Sequence, residues 1–246
     1  MLRHYLGEII DRLILRQSRK NYRQALFEDL LSHKELNDNW RRILEIGPKD
    51  GEDTRRLLQL QPQEVCLVDL PLKAEANQMW LRDLPSEIVR YYSGNIMYER
   101  FFDDNSFDLI WCTGVLYHNP EQLRMVRRLY DLLRPGGMLV LETATIKYWL
   151  FKNQNAVQIL YPFSEELKRR YHVSANVTHL PSRLAVWSWL HMVGFERVEL
   201  SSCHRQQSLF LAANRAAYLA RRPKASESRG VYYASAEERY LVGKAL

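Results

Sequence analysis

The stretch Arg42-Ile43-Leu44-Glu45-Ile46-Gly47-Pro48-Lys49-Asp50-Gly51 decides the fold. Its first half is a short β-rich run, its second half holds two glycines in a turn, and Thr54 to Leu60 then read as a helix. A strand, a glycine turn and a helix in that order make the ligand-binding corner of an open α/β sheet, where ligands sit beyond the carboxyl ends of the strands. Gly47 and Gly51 permit close backbone approach and positive φ. A dinucleotide fingerprint reads G-x-G-x-x-G; here Lys49 takes the middle-glycine position and Glu45 precedes the first glycine. Taken alone, the turn suits a structural role as well as a cofactor loop.

Outward from this corner the alternation repeats. Strand-like runs fall at Arg42 to Ile46, Glu64 to Leu70, Ile88 to Tyr92, Phe107 to Cys112, Met138 to Thr143, Arg197 to Leu200 and Ala216 to Ala220. Helical patterns fall at Thr54 to Leu60, Ala74 to Leu84, Pro120 to Leu133 and Ser182 to Val193. Strands alternating with helices predict an α/β parallel sheet. Pro120 and Pro181 stand where a first-turn proline is tolerated, and Gly136-Gly137 after Arg134-Pro135 reads as a stop and turn.

Upstream, Leu2, Leu6, Ile9, Ile10 and Leu13 mark one amphipathic helix, and Ala25, Leu26, Leu30 and Leu31 mark a second. Such stripes pack on the main domain, or make a homodimer or membrane-surface contact. The expected division is therefore an N-terminal helical extension over 1–40, a main domain over 41–222 and a polar tail over 223–246. Within the main domain, 146–180 follows the fifth strand and is too long for an ordinary connection. It is expected to form a cap whose Tyr148, Trp149, Phe151, Tyr161 and Phe163 wall a substrate or pack as a satellite cluster.

Hydrophobic residues make up 46% and charged residues 26%, which excludes extended disorder, a collagen repeat and a coiled-coil rod. No apolar run reaches the 18 or so residues of a membrane-spanning helix. Arg3, Glu8, Asp11 and Arg12 interrupt any secretory h-region, and three scattered cysteines, Cys66, Cys112 and Cys203, write neither a disulfide framework nor a zinc motif. A cytoplasmic setting is expected. The net charge is +6, but residues 1 to 42 hold nine Lys/Arg against six Asp/Glu and residues 215 to 246 hold seven against three. The middle is left near neutral, which argues against a long nucleic-acid track there.

Three strand tips point at one adenosine-like ligand. Besides the Gly47 loop, the second strand ends in Val68-Asp69, where a carboxylate accepts from both hydroxyls of a ribose or caps a helix. The third is followed by Ser93-Gly94-Asn95-Ile96, with an amide for an adenine amino group and an isoleucine to pack on the base. The fourth runs Phe107-Asp108-Leu109-Ile110-Trp111-Cys112 into Thr113-Gly114-Val115-Leu116-Tyr117-His118-Asn119-Pro120.

With those residues in view, the chain resembles the class I S-adenosylmethionine-dependent methyltransferases over about residues 41 to 222. The match lies in E-x-G-x-x-x-G, the acid ending strand two, F-D-L-I-W, and L-R-P-G-G-M-L-V-L-E-T entering strand five. The resemblance implies a Rossmann-like, seven-stranded, mostly parallel sheet with helices on both faces. It also implies S-adenosylmethionine held by Glu45, Gly47, Lys49, Gly51, Asp69, Asn95, Ile96 and Thr113. Within that class, T-G-V-L-Y-H, P-G-G-M-L-V-L-E-T, L-P-S-R and W-L-H-M-V-G-F are similar to the bacterial tRNA wobble-uridine enzymes that use carboxy-S-adenosylmethionine. Two departures stand out: the Trp- and Lys-containing segment upstream of their first strand is missing, and Lys49 replaces a glycine.

Methyl transfer needs a nucleophile held in line with the methyl carbon, and a base where the nucleophile is a hydroxyl. His118 is the candidate base, with packing of the turn as its bland alternative. Tyr117 orders the substrate or packs in the core. Lys49 meets the methionine carboxylate or an additional cofactor carboxylate, or is simply solvated. Glu142 lines the cleft or holds the cap, and Arg183 and Arg205 are candidates for an anionic substrate. His172, His179, His191, His204 and Cys203 have no zinc-ligand spacing, and no metal is expected. The leading reading is O-methylation of a small molecule such as a sugar or secondary metabolite. Two alternatives remain: a tRNA wobble-uridine (carboxy)methyltransferase, and a degenerate cofactor-binding partner subunit suggested by Lys49.

Overall fold

The computed structural model describes residues 22–35, 39–146, 154–160, 166, 178–201 and 214–224. Strands β1 (Arg42–Ile46), β2 (Glu64–Asp69), β3 (Val89–Ser93), β4 (Phe107–Thr113) and β5 (Leu133–Thr145) alternate with helices α2 (Glu52–Leu58), α3 (Ala74–Leu81) and α4 (Gln122–Leu132). A helix α1 over 22–32 precedes them. After β5 come β6 (Val157–Leu160), β7 (Thr178–Pro181), helix α5 (Arg183–Val193), β8 (Glu196–Leu200) and β9 (Asn214–Arg221).

Seven strands form one sheet in the order β3-β2-β1-β4-β5-β9-β8. The pairs from β3 through β5 are parallel, and β9 runs antiparallel to both β5 and β8. The order reverses between β1 and β4, which opens a crevice at their carboxyl ends. All seven residues of β4 are buried, as continuous apolar runs in two-sided parallel sheets require.

Alternation along the strands assigns the layers. Ile43, Leu67, Trp111 and Val140 face one side, against Tyr22, Ala25, Leu26, Phe27 and Leu30 of α1, Leu57 of α2 and Trp80 of α3. Leu44, Ile110, Leu139 and Tyr218 face the other, against Met125, Val126 and Leu129 of α4 and Val186 and Leu190 of α5. Ser182 caps α5 by accepting from the Ala185 N–H at 3.0 Å, and Gly194 ends it at φ 110°.

Three expectations change. Leu31 is 43% exposed, because α1 turns Tyr22 and Phe27 inward instead. The rest of that apolar face covers the sheet of its own chain. Gly136-Gly137 is not a turn between elements: β5 begins at Leu133, and its pairing with β4 shifts register between Phe107 and Leu109. Gly136, at φ 81°, donates its N–H to the Arg222 carbonyl at 3.0 Å, and only a glycine-tolerant bulge gives that geometry. In the expected cap, β6 and β7 pair antiparallel as a small second sheet. The helix expected over 2–15, the cap aromatics, the tail from residue 225, and His172, Cys203, His204 and Arg205 lie outside the described residues. No described helix is long and apolar enough to cross a membrane.

Candidate functional site

The β1–α2 turn is built by backbone. Gly47, Lys49 and Gly51 all take positive φ, at 70°, 55° and 74°. Lys49 thus holds the left-handed conformation a glycine gives freely, at a cost of about 1 kcal/mol or more. A Cβ on Gly47 would lie 2.6 Å from Val115 Cγ2, and one on Gly51 would lie 2.4 Å from Trp80 Cε3. Trp80 closes over the turn and donates its indole N–H to the Lys49 carbonyl at 3.0 Å. The Lys49 side chain is exposed.

Glu45 is only 1% exposed and accepts from Thr54 Oγ1 at 2.7 Å. Burial, reinforced by the neighbouring Asp53 carboxylate, pushes its pKa up to about 8. Glu45 is therefore largely protonated at neutral pH.

At the tips of β2 and β3 the carboxylate of Asp69 is oriented from two sides. Its Oδ1 accepts from the Leu70 N–H at 2.8 Å and its Oδ2 from Asn77 Nδ2 at 3.0 Å. Each oxygen keeps a further lone pair for a ligand hydroxyl. Asn95 turns its Oδ1 onto the Met97 N–H at 3.0 Å, so its amide NH2 is the part left to meet a base. Ile96 is buried and belongs to the core cluster on the α4 side of the sheet.

Across the crevice, the tips of β4, β5 and β9 carry buried charge. Asp53 Oδ2 accepts from Arg23 Nη1 at 2.9 Å, Trp111 Nε1 at 3.0 Å and Thr113 Oγ1 at 3.2 Å. Arg23 Nη2 also lies 3.3 Å from Glu142. The Glu142 side chain is fully buried and is held by Arg215 through both carboxylate oxygens, Oε2 accepting at 2.8 Å. Its burial favours the acid form, but Arg215 and Arg23 outweigh that and lower its pKa. Gly114, at φ 76°, leaves room for this knot: a Cβ there would meet Arg23 Nη2 at 3.2 Å.

The catalytic candidates follow directly. Arg215 lies 5.5 Å from the centre of the Tyr117 ring, and Tyr117 stacks on His118 at 3.9 Å between centroids. His118, at the end of the turn that follows β4, is exposed. Desolvation, then Arg215 and Lys73, bring its pKa down to about 4. Asn119 fixes the exit of the turn, its Oδ1 accepting from the Glu121 N–H at 2.8 Å.

The structure thus gathers Glu45, Gly47, Lys49, Gly51 and Asp69 on one side of the crevice, and Thr113, Tyr117, His118 and Glu142 on the other. Arg23, Asp53, Asn77, Trp111 and Arg215 were not legible as site residues. The one signal available was Asp53 as an acid in the first turn of a helix. Arg183 sits at the start of α5, where its carbonyl accepts from the Tyr218 hydroxyl at 2.8 Å. Among the described residues, no three His, Cys, Asp or Glu side chains are grouped to hold a metal ion. The glycine turn, where a Cβ at either position would clash, together with Asp69 fits a nucleoside cofactor.

Comparison with known proteins agrees. The sequence profile of the family described as "Methyltransferase domain" matches residues 2–200. The tRNA U34 carboxymethyltransferase of Nautilia profundicola is 26% identical over 157 residues, covering 64% of this chain and 48% of that protein. The enzyme of the same name from Helicobacter pylori is 37% identical over 163 residues, covering 65% and 58%. The chain spans about half the length of these relatives. An S-adenosylmethionine dependent methyltransferase from Mesorhizobium loti superposes with a TM-score of 0.56 at 19% identity, covering 76% of this chain and 94% of that one. By a family match over residues 2–200, the chain belongs to the methyltransferase-domain family.

Proposed function

We propose that the chain modifies the wobble uridine of tRNA, taking the transferred carbon group from S-adenosylmethionine or its carboxylated form. The observation that carries this reading is the Arg215–Tyr117–His118 group at the cleft mouth, taken with the activity named for the relatives at 26% and 37% identity. The sequence put a small-molecule acceptor first; the relatives favour the tRNA acceptor instead. The degenerate-subunit reading rested on Lys49, yet Lys49 keeps the left-handed turn, so the loop retains its cofactor shape.

In this proposal Gly47 and Gly51 admit the cofactor close to the backbone, Asp69 takes the ribose hydroxyls and the Asn95 amide meets the base. Glu45 and Thr113 hold the floor between the two halves. The cofactor supplies, when bound, an electrophilic carbon on a sulfonium. His118 is unprotonated at neutral pH because its pKa lies near 4, and its free nitrogen takes the proton of the attacking group. A carboxylated group brings a negative charge into the cleft, and buried charge needs a partner. Arg215 and Arg23 are the cations in place for it, balanced meanwhile by Glu142 and Asp53.

Incubating the protein with hypomodified tRNA and either cofactor, followed by nucleoside mass spectrometry, should show a mass gain on the wobble uridine. The size of the gain identifies the donor. Asp69→Ala should weaken cofactor binding by about tenfold or more, the value of one or two charge-assisted hydrogen bonds. No modification with either donor would sink the proposal.

A further inference from the structure

We infer that Thr145 and His179 form an acceptor-side subsite that hydrogen-bonds the polar edge of a uracil ring. The ligand class rests on the tRNA reading above; the site itself rests on two unsatisfied atoms. Thr145 is 0% exposed and its Oγ1 has no hydrogen-bond partner. His179 Nδ1 is buried and also has none. Other buried polar side chains near the catalytic turn are paired, among them Thr54 with Glu45, Glu142 with Arg215 and Gln122 with two carbonyls. Buried polar groups in native proteins are nearly always satisfied, so an exception calls for a cause such as a ligand.

Both residues flank one backbone junction. The Ile146 N–H donates to the Pro181 carbonyl at 3.1 Å; Thr145 stands one residue before Ile146 on β5, and His179 two before Pro181 on β7. The junction leans on the catalytic turn, because Gln122 Nε2 donates both to the Leu116 carbonyl at 3.1 Å and to the His179 carbonyl at 2.8 Å. Ala144, Ile146 and Leu180 pack with Tyr117 beside it. The subsite therefore lies on the acceptor half of the crevice, away from Asp69 and Asn95. A threonine hydroxyl donates and accepts, and a neutral imidazole offers one donor and one acceptor. That pair complements a uracil edge, where an imide N–H stands beside a carbonyl.

Thr145→Val and His179→Phe in the full chain keep shape and remove only the polar atoms. The melting temperature should hold or rise, since no bond is lost, and S-adenosylhomocysteine affinity should be unchanged. The KM for hypomodified tRNA should rise about tenfold or more. The His179 ring signals, assigned by their loss in His179→Phe, should shift when uridine 5′-monophosphate is added with S-adenosylhomocysteine. Unchanged KM in both variants overturns the subsite. If the wild type modifies no tRNA, the tRNA reading fails and the ring signals decide alone: a shift upholds a uracil site, and no shift overturns it.

Discussion

The two halves of the crevice are built in opposite ways. On the half formed by β1, β2 and β3, mostly short-range contacts shape the site, with Trp80 closing over Lys49 from 31 residues away: Gly51 N–H to the Pro48 carbonyl, Leu70 N–H to Asp69, Met97 N–H to Asn95. On the half formed by β4, β5 and β9, and where that half meets Asp53 of α2, partners are far apart in sequence, by 30 residues for Arg23 and Asp53, 58 for Trp111 and Asp53, and 73 for Arg215 and Glu142. The first half is held by backbone conformation, the second by desolvated charge. Conformational strain is local and bounded, whereas an unpaired buried charge disturbs every element that meets it.

That contrast breaks most visibly at Glu142. Glu142→Gln removes the carboxylate that both Arg215 and Arg23 face, and the loss should be about 3–5 kcal/mol, typical of a broken buried pair. Urea unfolding would read it as a lower midpoint with unchanged slope. Adding Arg215→Met should recover part of the loss. A drop under 1 kcal/mol would mean that solvent already screens the knot. On the other half, Gly51→Ala should cost about 1–3 kcal/mol, since it imposes a left-handed alanine and displaces Trp80. Calorimetry should also show weaker cofactor binding, because the turn itself moves.

The gentlest test is pH, at no more than about 1.4 kcal/mol per pH unit for one proton. Glu45 holds its proton in the folded chain up to about pH 8, above its unfolded value. Its contribution is therefore full at acid pH and fades as pH rises toward 8. His118 has a folded pKa near 4, below its unfolded value, so its contribution is present above about pH 6.5 and fades as pH falls toward 4. Glu45→Gln should flatten the alkaline side of the stability profile and His118→Phe the acid side. If either variant flattened the opposite side, the assignment of those protons would be wrong.

The same contrast explains what was readable. β1, β2 and β4 are legible because two-sided burial writes them as continuous apolar runs, and the glycine turn is legible because its conformation is a property of the residues themselves. Gly136-Gly137 misleads, since the bulge exists only once Arg222 arrives as its partner. Ile96 reads as a ligand contact from its place after Asn95, whereas its membership of the core cluster is set by strands and a helix that no local pattern connects to it. Arg23 looks like any charge beside an apolar stripe; its role is set by Asp53 and Glu142, which no local pattern connects to it.

The position of β9 has a consequence for synthesis. Its eight residues run from Asn214 to Arg221, and it lies between β5 and β8. During translation, β5 emerges long before its outer neighbour exists, and β8 has no strand to join until β9 threads between them. Helix α5 must wait beside an open sheet edge, which is a surface prone to pairing with other chains. The strand that covers that edge also carries Arg215 to Glu142. Completion of the sheet and pairing of Glu142 thus depend on the same strand.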